Sequence, residues 1–200
     1  MNSKTAVRQL KALKKLIKGK ELRLAAEWPK KWQVLIATIL SAVTRDEKTI
    51  EVCEVLFKKY PTPKKLSGAS VEDIKRVIRQ INYHKTKARH IKETCMIISK
   101  NGIPDNLGGL LELPGVGRKV GNVYLAVAHE SDSIGVDTHI TRISRKLGWT
   151  KNKHPHKIEK DLEKLFPKKY WRHINYIVVT FGRTIGRNRK EEDKVLAKLI

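Results

Sequence analysis

The sequence has only two cysteines, Cys53 and Cys95, with no CxxC spacing between them. That excludes a disulfide framework and a cysteine-built zinc site, and makes a reducing compartment the expectation. No apolar run is long enough to span a bilayer. The start, MNSKTAVRQLKALKKLIKGK, lacks the continuous apolar core of a secretory signal. The expected setting is intracellular: cytoplasm and nucleoid, or nucleus in a eukaryote. Low-complexity tracts, long-period repeats and long structureless linkers are missing too. Negative charge is scarce, with 20 Asp and Glu against 43 Lys and Arg, a net charge of +23. With 40% hydrophobic residues and helical periodicity along most of the chain, that charge lies on a folded body. Its expected partners are polyanions.

A chain of 200 residues can build one sizeable core or two small domains without disulfide or metal staples. From Ala6 to Ile17, Val7, Leu10, Leu13, Leu16 and Ile17 form one apolar stripe between lysines, which predicts an amphipathic helix. Residues 32–43 are apolar almost all round, as in a helix buried on several sides. Asp46 is the expected N-cap of the next helix, which Pro61 and Pro63 stop before a short turn. Ser70 opens a further helix, and another runs from Lys85 to Lys100 and closes at Asn101-Gly102. Helices are also expected over 118–128, 138–147, 154–166, 171–181 and 188–200. INYIVVTF would pass for a buried strand by propensity, but no partner strands are evident. The expected fold class is all-α.

Leu113-Pro114-Gly115-Val116-Gly117-Arg118-Lys119 places two glycines two apart, just before a helix. Glycine at both sites permits positive φ and close backbone approach. Consecutive N–H groups there can form an anion nest, to which the helix adds its positive end. A nucleic-acid phosphate suits such a turn, although ordinary tight turns use glycine as well.

The LPGVGRK string resembles the hairpin of the endonuclease III branch of the helix-hairpin-helix DNA glycosylases. IGVDTHITRISRKLG is similar to that family's catalytic-aspartate segment, and ATILSAVTRDEKT to its early buried helix and wedge loop. INYHKTKARHIKETC is a weaker match between them, and TFGRTIGRNRK a further trace. The resemblance implies a two-lobed helical fold with a DNA cleft between the lobes. One domain would span 25–133 and contain the hairpin; the other would join 1–24 to 134–200.

The implied activity is that of a bifunctional DNA glycosylase and AP lyase. Such an enzyme removes oxidised pyrimidines from double-stranded DNA and cuts 3′ to the abasic site by β-elimination. By resemblance Lys119 is the nucleophile, since an amine can displace the base and hold the sugar as a Schiff base. Asp137, before Thr138, is placed to cap a helix; by resemblance its carboxylate stabilises the cationic sugar and helps accept the lysine proton. His139 is expected to be structural. His154-Pro155-His156 lacks further ligands at metal spacing and reads as a loop and helix start, so no metal is expected.

Base flipping leaves a gap that wedge residues fill. By position these are Val43 and Tyr83, where the family usually has glutamine and leucine or phenylalanine. Most relatives also bind a [4Fe–4S] cluster through four cysteines after the FGR segment. This chain has Gly186 at the first such site and none of the four, so no cluster and no other cofactor is expected. The default assembly is a monomer. Alternative readings are a mismatch or 8-oxoguanine glycosylase of the same superfamily, against which Lys119 argues, and a non-catalytic helix-hairpin-helix DNA-binding module.

Overall fold

The computed structural model describes residues 1–200. It is 67% helical and contains no strand. Twelve α-helices follow one another: α1 (Ser3–Leu16), α2 (Lys31–Ser41), α3 (Asp46–Lys59), α4 (Pro63–Gly68), α5 (Val71–Val77), α6 (His84–Asn101), α7 (Leu107–Leu111), α8 (Arg118–Ala128), α9 (Thr138–Lys146), α10 (Pro155–Leu165), α11 (Trp171–Arg183) and α12 (Arg189–Ala197). They divide into two compact units, Arg23–Glu130 and Met1–Leu22 with Ser131–Ile200.

In the unit Arg23–Glu130, α2 is the axis of the core. Val34, Leu35, Ile36, Ala37, Ile39 and Leu40 are all buried, which is why this stretch shows no polar face. It packs against α3, α6 and α8. At one end Trp28 and Trp32 meet Phe57 edge-on, with centroids 4.8 and 5.0 Å away, arrangements worth about 0.5–1.5 kcal/mol each beyond burial.

Two expectations need correction here. Arg45, not Asp46, is the N-cap of α3; Asp46 is its first helical residue, and its carboxylate accepts the Ala25 N–H at 3.2 Å. The segment after Pro61 is a helix rather than a short turn. Thr62 caps it, its hydroxyl accepting from Lys65 N at 3.2 Å, and Pro63 occupies the first turn. Proline there starts a helix because its missing N–H has no intrahelical partner to lose. Fully buried Leu66 holds α4 onto α6.

In the other unit, α1 packs on α11, and α11 on α9. Leu10 and Leu13 of α1 join Ile140, Ile143, Ile158, Leu162, Ile174 and Phe181 in its core. INYIVVTF lies within α11, whose buried side carries Ile174, Ile177, Val178 and Phe181. A buried polar relay crosses it: Trp149 Nε1 donates to Gln9 Oε1 at 2.7 Å, and Gln9 Nε2 donates to the Leu199 carbonyl at 3.0 Å. The last helix is held by a charge cluster. Glu192, with no exposed surface, receives Arg142 at 2.9 Å, Lys146 at 2.7 Å and Arg189 at 3.2 Å. Burial alone would push this carboxyl up, but hydrogen bonds from Arg142 and Lys146 outweigh it and hold it below the usual range.

Candidate active site and nucleic-acid interface

The hairpin joins α7 to α8, and its apolar members anchor it. Leu113 and Val116 are buried, so they pin the loop from beneath instead of facing a ligand. Val116 N donates to the Leu113 carbonyl at 3.1 Å, closing the turn, and Thr94 of α6 donates its hydroxyl to the Pro114 carbonyl at 2.8 Å. Gly115 has φ +79, and a Cβ there would lie 2.9 Å from His90 Nδ1 and 3.1 Å from Ile39 Cγ2. Only glycine fits that turn without strain.

Gly117 is different from the expectation. Its φ is −91 and ψ 174, extended backbone open to any residue, and a Cβ would meet nothing within 4 Å. It is the N-cap of α8 with no side-chain cap hydrogen bond. No N-cap side chain closes this helix end and the Gly117 Cα has open space beside it, the setting in which a helix end receives an anion. Arg118 and Lys119, both half-buried, stand in that first turn.

Lys87 was not singled out by sequence reasoning, and it is the most unusual charge in this unit. It lies on α6, 7% exposed. Its Nζ donates to the carbonyls of Leu40 at 2.8 Å and Ala42 at 2.5 Å, with Thr44 Oγ1 at 3.5 Å. Those carbonyls end α2, whose last turn contains no basic residue of its own. Burial first, and the charge of Lys119 second, lower the Lys87 pKa to about 8. The signal in the sequence was its register: Lys87 shares the buried face of α6 with Ile91, Thr94 and Ile98, and a lysine on an inner stripe needs acceptors.

The loop that Lys87 holds presents Val43, and the loop before α6 presents Tyr83. Both are left-handed, with φ 57 and 59, and both are exposed, at 73% and 70%. A left-handed conformation costs a β-branched residue roughly 1–3 kcal/mol, and is found where surrounding structure enforces it. The enforcement comes from Asn82, whose side-chain amide donates to the Val43 carbonyl at 2.5 Å and whose N–H donates to Thr44 Oγ1 at 3.2 Å. One residue thus ties the two apolar tips together.

In the other unit, Asp137 is the N-cap of α9. Its Oδ1 accepts from Ile140 N at 2.8 Å, which leaves Oδ2 outside the cap. His139 stands beside it with Nδ1 3.3 Å from Arg142 Nη2, and a Cβ at Gly182 would lie 2.3 Å from that same Nδ1. Burial lowers the His139 pKa, although the Asp137 charge opposes it. It serves as packing between α9 and α11. His154 is the N-cap of α10 and Pro155 its first residue. No group of three or more His, Cys, Asp or Glu converges as a metal site.

The residues present do not fit a [4Fe–4S] cluster. Cys53 and Cys95 are buried in the core of Arg23–Glu130, and burial pushes both thiols up, against thiolate ligation. Where the first cluster cysteine would stand, a Cβ on Gly186 would lie 2.5 Å from Glu192 Oε2 and 3.2 Å from the Phe181 carbonyl.

A glycine hairpin leading into a helix end without a side-chain cap, a lysine in that helix's first turn and two exposed left-handed tips accord with one class of protein. Residues 36–168 match the HhH-GPD superfamily of base excision DNA repair proteins, and the chain belongs to that family. Within it, the chain is 43% identical to the endonuclease III of Thermotoga maritima over 157 residues, 77% of this chain and 74% of the relative. It is 37% identical to the Synechocystis endonuclease III over 182 residues, 89% of this chain and 82% of that one. A solved endonuclease III–DNA covalent intermediate, trapped as an estranged-adenine complex, superposes with a TM-score of 0.85 at 31% identity, covering 92% of this chain and 87% of the other.

Proposed function

We propose that the protein is a base excision repair enzyme, a bifunctional DNA glycosylase and AP lyase that acts on oxidised pyrimidines in double-stranded DNA. The observation that carries this is Lys119 in the first turn of α8, directly after the glycine hairpin and at a helix end that no N-cap side chain closes. Gly115, Gly117 and Arg118 receive the backbone, while Leu113, Pro114 and Val116 hold the turn in shape. Val43 and Tyr83 fill the space left by the flipped base.

The Lys119 amine attacks C1′ as the glycosidic bond breaks, and the base leaves with its electron pair and is protonated. Asp137 offsets the positive charge that develops on the sugar and takes the proton the amine loses. The C1′–O4′ bond of this aminal then breaks, O4′ taking a proton, and the protonated imine that results acidifies C2′; loss of that proton expels the 3′ phosphate, and water then hydrolyses the imine to free the unsaturated aldehyde and the lysine. Among the superfamily alternatives, an amine at 119 favours the lyase branch over a monofunctional mismatch enzyme. The protein works as a monomer, inside the cell where genomic DNA is found, and without an iron–sulfur cluster.

Borohydride trapping tests this reading with labelled duplex carrying one thymine glycol or one abasic site. The expected result is a covalent band from both, lost in Lys119→Gln. Tight duplex binding with no band from either substrate would overturn it in favour of a non-catalytic DNA-binding module.

A further inference from the structure

A concavity in the unit Met1–Leu22 with Ser131–Ile200 is lined by none of the hairpin residues, nor by Val43, Tyr83, Lys119 or Asp137. It has a volume of about 670 Å³ and lies between the later turns of α1 and the first half of α11. Its floor is apolar and aromatic, made by Ile17, Tyr176 and Ile177. Its rim is Lys11, Lys14, Lys15 and Lys18, with His173 opposite. Lys14 and Lys15, three and four residues after Lys11, share one side of α1 with it, and Lys18 follows in the turn after the helix ends at Leu16. Residues 1–20 contain no Asp or Glu, and none of the four lysines is engaged in an ion pair. The one acid at the rim, Glu21, is turned to the Gly19 N–H, which its carboxylate accepts at 3.1 Å.

Clustered cations repel one another, Lys18 being partly offset by the Glu21 carboxylate whose pKa it helps to lower, and nothing in the packing of α1 requires them: its buried side is Ala6, Gln9, Leu10 and Leu13. From Lys11 to Lys15 the row rises about 6 Å at the helical rise of about 1.5 Å per residue, and Lys18, in the turn beyond the helix end, lengthens it to about 10 Å. About three phosphates of one stacked strand, at about 3.4 Å each, cover the same length. A duplex backbone would meet the lysines but leave the apolar floor unused. A single strand uses both, with phosphates on the lysines and an unpaired base against the half-buried ring of Tyr176, beneath which Ile17 and Ile177 are almost fully covered.

We infer that this pocket is a second nucleic-acid site, which receives a single-stranded segment of about three phosphates with one base seated on its floor. The charge sign alone would also suit an acidic peptide; the regular phosphate repeat and the aromatic floor favour the strand.

The test uses the full chain and a short labelled oligothymidylate, with affinity followed by anisotropy across a salt series, and a 5-bromouracil version for photocrosslinking. Lys14→Glu with Lys18→Glu should weaken binding about tenfold and flatten the logarithmic salt slope by about 1.4, from two contacts at about 0.7 each. The wild-type crosslink should map to Tyr176. If charge reversal costs the fold, Lys14→Gln with Lys18→Gln gives the same slope change. An unchanged slope, with crosslinks confined to the Leu113–Lys119 hairpin, would overturn the inference. So would displacement of the oligothymidylate by oligoglutamate at equal charge, which would assign the face to an acidic protein. Trapping at Lys119 is read separately, so either result stands without the other.

Discussion

The ammonium of Lys87 donates to the carbonyl of Ala42 at 2.5 Å, and to that of Leu40 at 2.8 Å, so a buried lysine from α6 closes the end of α2. This bond sets where the chain turns into Val43 and Thr44. It couples the shape of the wedge loop to a titratable group.

Replacing that lysine should therefore cost both stability and function. Lys87→Met leaves two buried carbonyls without their donor, a loss of about 1–3 kcal/mol. Below about pH 8 the lysine is charged in folded and unfolded chains alike, and its burial counts against the fold. Between about 8 and 10.5 the unfolded chain holds a proton that the folded one lacks, so this group makes stability rise with pH. Urea unfolding from neutral to alkaline pH should show the wild type gaining on Lys87→Met; parallel curves would refute the assignment.

The two hairpin glycines should separate cleanly. Gly115→Ala forces a Cβ onto His90 at positive φ and should lower stability by about 1–3 kcal/mol. Gly117→Ala has room and ordinary dihedrals, so its melting temperature should stay near that of the wild type. Its affinity for abasic duplex should fall, because the added methyl stands where a phosphate approaches the α8 amides. Calorimetry and duplex titration together check both.

Asp137→Asn distinguishes the helix cap from the catalytic charge. Asparagine caps about as well as aspartate, and the bond to Ile140 N survives the change, so unfolding should shift by less than about 0.5 kcal/mol. Removing the carboxylate charge should slow base release about 100-fold or more. Single-turnover excision of thymine glycol measures this, and a variant with both stability and rate intact would reduce Asp137 to a cap.

Val43→Gly should exchange function for stability. It relieves a left-handed valine and should stabilise the fold by about 1 kcal/mol. It also removes an exposed wedge, so excision of a paired lesion should slow more than cutting at a preformed abasic site. Equal effects on both substrates would remove Val43 from base flipping.

Periodicity and punctuation made most helices legible. Leu10, Leu13, Ile91, Cys95 and Ile98 lie on the buried faces their spacing predicts, and α8 spans Arg118–Ala128 as expected. The misreadings came where one residue type can do two jobs. Pro63 begins a helix as readily as it ends one, and Asp46 serves the Ala25 amide instead of its own helix. Gly117 was valued for dihedral freedom, whereas the structure uses only its missing side chain.

By itself the sequence determined the helical class, the basic surface, the hairpin with Lys119 and the cap position of Asp137, because each is written in near neighbours along the chain. Only the tertiary structure decided that Lys87 grips the end of α2, that Asn82 ties the Val43 turn to the loop before α6, and that Glu192 gathers Arg142 and Lys146. Each of these joins groups far apart in the chain. Their energies come from burial and from hydrogen-bond partners that exist only once the helices have packed.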